Sequence, residues 1–152
     1  MGGSGMSMIE GVLVTPLQKI PDERGTIMHM LRVDAPHFEK FGEIYFALSY
    51  PGIVKAWHKH TRQTQNYAVV SGMIKLVLYD SRSESDTTNQ VQTVYLGEDN
   101  YCLVRIPPQI YYGYKTIGVK PALLANCPTE PHDPTEAERL DMNDATIPYH
   151  WE

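Results

Sequence analysis

Cysteine is scarce in this chain: the two that occur, Cys102 and Cys127, stand at no redox or metal-binding spacing. A secreted scaffold stapled by disulfides would carry more, so both are read as buried free thiols. Long apolar runs are missing as well. No stretch approaches the roughly 18 residues that a membrane-crossing helix needs, and no charged-then-apolar segment opens the sequence, so the cytoplasm is the expected location. A lysine and arginine stripe is also lacking. The formal net charge of −5 argues against a nucleic-acid partner and leaves a small molecule, including an anionic sugar, as the expected ligand. Residues 1–7 read as an expression scar, with a native start near Met6 or Met8, and residues 8–152 as one domain.

Helical periodicity is weak. Only 34–40 and 134–140 suggest short helical turns, the second with Asp133 as N-cap before Pro134. Strand-like segments are frequent instead, at 11–15, 26–32, 43–49, 54–58, 65–71, 73–80, 91–96, 100–106, 110–116 and 122–127. They are rich in Val, Ile, Leu and Tyr and are separated by turn residues such as Pro51-Gly52 and Ser71-Gly72. Many short strands at close intervals predict an all-β sandwich or barrel. The polar, proline-punctuated stretch from about 126 is expected to wrap that barrel or complete its pocket.

The chemistry-bearing segment runs from Gly52 to Gly72 and contains Trp57-His58-Lys59-His60. Alternate residues of a strand share a face, so His58 and His60 should project together, with Gln65 facing them from the neighbouring strand. Two histidines aimed into one hollow are seldom structural. Trp57 alternates away and is expected in the core or a dimer contact. Asp80 with Arg82 reads as a structural ion pair. Within Ile110-Tyr111-Tyr112-Gly113-Tyr114, either Tyr112 and Tyr114 look inward or Tyr111 does.

The spacing Gly-x5-His-x-His-x4-Gln-x6-Gly resembles the first cupin motif, with Gln65 in the glutamate place. Pro107-Pro108-Gln109-Ile110-Tyr111-Tyr112 resembles the second, with Tyr112 where its histidine ligand would stand. The resemblance implies a double-stranded β-helix, or jelly-roll, and favours Tyr112 and Tyr114 as the inward pair. A metal, if present, would take His58, His60, Gln65 and Tyr112. That set has no carboxylate, so a metal-free pocket is expected.

Further segments narrow the likeness: Asp22-Glu23-Arg24-Gly25, Lys55-Ala56-Trp57-His58, Asp80-Ser81-Arg82 with Ser85 and Thr87, Pro107-Pro108 leading to Gly113-Tyr114, His132-Asp133-Pro134, and Asn143-Asp144. In this order they resemble the dTDP-4-dehydrorhamnose 3,5-epimerase family over about 11–147. The resemblance implies a cofactor-free homodimer, paired through an N-terminal strand exchange or sheet extension, that isomerises a nucleotide-linked 4-keto sugar. His58 would be the base, and Tyr112 or His132 the opposing acid. Arg24 and Lys55 would hold the diphosphate or sugar oxygens, and His60, Gln65, Asn66 and Tyr114 would complete the binding surface. Lys55 stands where the family has arginine, Asn66 where it has lysine, Tyr112 where it has histidine and His132 where it has tyrosine. Asp80 and Asp144 are the candidates for the carboxylate that orients the base. Two other readings remain open here: a metal-dependent cupin enzyme (dioxygenase or sugar isomerase), and a non-catalytic sugar- or effector-binding cupin.

Overall fold

The computed structural model describes residues 9–152, so the expected expression scar lies outside the described residues. Two five-stranded antiparallel sheets face each other. The first runs β1 (Leu13–Pro16), β9 (Cys102–Ile106), β6 (Gln65–Ser71), β11 (Ala122–Asn126), β4 (Tyr45–Ser49). The second runs β12 (Ala137–Arg139), β5 (Val54–His60), β10 (Ile110–Ile117), β7 (Met73–Asp80), β8 (Val91–Gly97). A separate hairpin joins β2 (Lys19–Asp22) to β3 (Gly25–Met28). This crossing of strands between two facing sheets is the double-stranded β-helix that the cupin resemblance implies, within the all-β class that the turn spacing predicts.

Period-two alternation builds the core. Ile74, Leu76 and Leu78 of β7 point inward with Val94 and Leu96, Val104 and Ile106, Val69 and Leu124, filling one end of the barrel with aliphatic side chains. The outward residues of the second sheet are buried too. Trp57, Val77, Tyr79 and Tyr111 are covered by Ile147 and Trp151, with Leu140, Met142 and Tyr149 beside them. The stretch after β12 thus wraps this outer face, and the Trp57 indole donates to the Met142 carbonyl at 3.2 Å. Trp57 is core. On the first sheet, Leu17, Met28, Met30 and Leu31 pack beside Ala68, Tyr101 and Leu103.

Both expected helical turns are corrected. Across 34–40 the chain makes only isolated turns around Pro36, which cannot donate to a continuing helix. At 134–140, Asp133 does accept from the Thr135 amide at 3.0 Å, but the turn is not propagated. The chain enters β12 instead, pairing Ala137 with His60, Glu138 with Lys59 and Arg139 with His58. β2 escapes sequence reading because its four residues are all exposed and include Pro21, so no alternation marks it. Asp80 is fully buried and accepts from Arg82, Ser85 and Thr87, the structural role expected for it. Cys102 and Cys127 are buried and free.

Candidate active site

The aliphatic filling stops short of one end of the barrel, leaving a cavity of about 620 Å³. Strand β5 supplies Lys55, His58 and His60; β10 supplies Tyr112 and Tyr114; β6, in the opposite sheet, supplies Gln65 and Tyr67. Gln65 therefore faces the histidines across the barrel and is not on a strand hydrogen-bonded to β5. The connection from β11 to β12 adds Pro128, His132 and Asp133, and β12 adds Arg139.

Strict alternation would put Lys55 on the outer face with Trp57, yet it lines the cavity. A β-bulge explains this. Tyr112 pairs with His58 and Tyr114 with Lys55, so Ala56 and Trp57 together oppose the single residue Gly113. The extra residue reverses the parity of β5 and brings Lys55 and His58 to one face. Tyr112 and Tyr114 point inward. Tyr111 points outward, stacked on Tyr79 with the Lys59 ammonium 4.7 Å from its ring centre.

His58 is neutral at neutral pH: burial, then the charges of Arg139, His60 and Lys55, push its pKa down to about 4. Its ring lies 5.9 Å from that of Tyr112. His60 is held at both nitrogens, Nδ1 lying 2.6 Å from Glu136 Oε1 and Nε2 3.0 Å from the Tyr112 hydroxyl. The Glu136 side chain has no exposed surface, and its Oε2 accepts the amides of Arg62 and Gln63, each at 2.9 Å. Burial would raise the Glu136 pKa, but these hydrogen bonds outweigh it and keep the group below its ordinary value. Tyr112 is buried and its pKa well above the ordinary phenol value, burial being the main cause, while a hydrogen bond from Tyr67 acts against it.

The fold gathers His58, His60, Lys55, Gln65, Tyr112, Tyr114 and His132 around one cavity. It does not bring Asn66 or Arg24 there. Asn66 lies between Gln65 and Tyr67 on β6 and so points the other way, its amide donating to the Cys127 carbonyl at 2.9 Å. Arg24 sits at the tip of the β2–β3 hairpin, its guanidinium 2.6 Å from Asp22 and its side chain 84% exposed. Asp80 is occupied by Arg82, and Asp144 lies in the turn that accepts from Thr146, so neither orients a cavity histidine. Glu136 does so, and the sequence held no sign of it, because its stretch read as a helical turn. Arg139 was missed for the same reason.

The sequence matches the dTDP-4-dehydrorhamnose 3,5-epimerase family over residues 6–152. This chain belongs to that family. It is 35% identical over 146 residues to the spore coat polysaccharide biosynthesis protein SpsL of Bacillus subtilis, covering 95% of this chain and 97% of that one. It is 37% identical over 146 residues to the probable low-salt glycan biosynthesis epimerase Agl13 of Haloferax volcanii, covering 95% and 90% respectively. The crystal structure of a dTDP sugar isomerase from Desulfovibrio desulfuricans superimposes with a TM-score of 0.93 at 47% identity, covering 95% of this chain and 92% of that one.

The position that resembles the family lysine, Asn66, faces away from the cavity, while β12 brings the Arg139 guanidinium in from another element. The donor set first considered for a metal does not suit one. Both His60 nitrogens are engaged, so that ring offers no lone pair to a metal without losing Glu136 or Tyr112, and the Gln65 carbonyl already accepts from Asn126 at 2.7 Å.

Proposed function

We propose that this protein is an epimerase or isomerase of a nucleotide-linked 4-keto sugar, with His58 removing the proton from the carbon beside the carbonyl. The observation that carries the reading is a neutral imidazole, set in a sugar-sized cavity beside two cations, in a chain of the dTDP-4-dehydrorhamnose 3,5-epimerase family. A neutral imidazole is a proton acceptor, and the positive charge of Lys55 and Arg139 stabilises an oxyanion or a diphosphate. Of the carboxylates that line the cavity, Asp133 is engaged by Arg62 and Glu136 by His60, and Lys55 and Arg139 are the cations that meet the substrate. Tyr112 or His132 returns a proton, and Tyr114, hydrogen-bonded to Ser49 at 2.9 Å, shapes the floor with Gln65.

The working form is a homodimer. The β2–β3 hairpin stands apart with Ile20 and Ile27 exposed, and among the described residues β4 is an open sheet edge whose Phe46 and Leu48 face outward. Tyr45 and Ala47 of that same strand line the cavity, so a hairpin docked on β4 of a second copy arrives at the cavity rim and carries Arg24 with it. A guanidinium there suits bidentate recognition of a diphosphate.

The test is solvent-deuterium incorporation into thymidine-diphosphate-linked 4-keto-6-deoxyhexoses, followed by NMR and mass spectrometry. The native protein should exchange a proton next to the carbonyl, and His58→Asn should lower the rate by about 10² to 10⁴-fold. Absence of exchange into any 4-keto nucleotide sugar overturns the reading.

A further inference from the structure

One carboxylate in the cavity wall is not used by the chemistry above. Glu136 has no exposed surface, yet it is tied through His60 to the Tyr112 hydroxyl: 2.6 Å from Oε1 to Nδ1, then 3.0 Å from Nε2 to Oη. A carboxylate facing Nδ1 holds a proton there and stabilises the imidazolium that forms when Nε2 is protonated as well. Tyr112 is also the strand partner of His58, on the same wall. Two groups side by side on one wall can address two neighbouring atoms of a substrate, and the proton-bearing carbon and the carbonyl oxygen of a keto sugar are such a pair. Resting on the reading above, we propose that Tyr112, His60 and Glu136 form a proton relay that delivers a proton to the carbonyl oxygen while His58 takes one from carbon.

In that step the carbon–hydrogen bond breaks, its proton goes to His58, and its electron pair becomes the carbon–carbon double bond of an enol. The Tyr112 O–H proton passes to the carbonyl oxygen. The phenolate oxygen takes a proton from His60 Nε2, leaving a ring whose Nδ1–H stays on Glu136. Return to the ketone runs the relay backwards, and His132 is then free to protonate carbon. Tyr112 is a catalytic residue in this scheme, and Glu136 is a positioning residue that acts through His60.

Glu136→Gln separates this role from a merely structural one. Oε2 accepts two backbone amides, so to keep them the glutamine oxygen must occupy that place and its NH₂ must face His60 Nδ1. An NH₂ there excludes a proton on Nδ1, and His60 can no longer carry both. In ¹⁵N-edited histidine spectra the native protein should show a strongly deshielded Nδ1–H that vanishes in both Glu136→Gln and His60→Gln. With the 4-keto nucleotide sugar, Glu136→Gln should slow deuterium exchange at least about 100-fold while affinity for thymidine diphosphate stays within about twofold. Tyr112→Phe should slow it similarly, and the double variant no further. If Glu136→Gln fails to fold, His60→Gln, which can still donate to Glu136 but cannot hold a second proton, should show the same loss. Retention of the Nδ1–H signal, or exchange within twofold of native, overturns the relay. Should the native protein exchange nothing, the proposed function falls, and the histidine spectra alone decide whether the Glu136–His60 pair holds the relay proton.

Discussion

His58 gains its character from where it is buried. A histidine with an ordinary pKa of 6.5 is pushed down to about 4 in the fold, first by desolvation and then by Arg139, His60 and Lys55. Between those values the unfolded chain binds a proton that the native protein refuses, so stability falls as pH drops from about 6.5 to about 4. The loss is on the order of 3 kcal/mol. Thermal melts across this window should show a decline that His58→Asn removes. The same shift keeps the base available in mild acid. The acid limb of the kcat/KM profile for a 4-keto nucleotide sugar should lie well below pH 6 and near the value of about 4 set for the free protein. A limb at the ordinary histidine value would assign the base elsewhere.

At the scale of the element, β5 acts through its bulge. Gly113 opposes Ala56 and Trp57, and a Cβ added there would stand 2.4 Å from the Ala56 Cβ and 2.9 Å from its Cα. Neither atom can yield without moving the strand. Gly113→Ala should therefore cost about 1–3 kcal/mol in a urea titration. It should also pull Lys55 from the cavity face, raising KM for the nucleotide sugar more than it lowers kcat. An equal loss of stability with unchanged KM would mean that the bulge does not position Lys55. Strand β12 matters in the same way, since three residues laid along β5 set Arg139 opposite His58 and hold Glu136 against His60.

Over the whole molecule, the two sheets divide the labour. The outer face of the second sheet is sealed by Ile147 and Trp151, whereas on the first sheet Phe46 is 62% and Leu48 57% exposed beside an unpaired edge. Large exposed apolar groups along an open edge suit association, which is where the proposed dimer makes its contact. Paired substitution of Phe46 and Leu48 by glutamate should convert a dimer to a monomer in sedimentation velocity. Arg24→Ala should weaken thymidine diphosphate binding without dissociating the dimer. A native protein that sediments as a monomer removes the role given to Arg24.

The sequence by itself determined what local rules can carry. Alternation and turn residues specify an all-β sandwich or barrel, and the His-x-His spacing sends His58 and His60 to one face, because the period of a strand is a property of neighbouring residues. Trp57 was legible as core by the same rule. The order of short motifs was enough to point to the family. What the tertiary structure decided are contacts between distant segments. Glu136 meets His60 across 76 residues, Arg139 reaches the cavity only because β12 pairs with β5, and the bulge at Gly113 overrides the parity that would have sent Lys55 outward. Asn66 was lost from the site for the opposite reason, since the pairing of β6 is regular from Gln65 to Val69 and its alternation turns Asn66 away. A one-dimensional pattern registers which face a side chain takes, while the partner across a sheet is chosen by the packing of the whole chain.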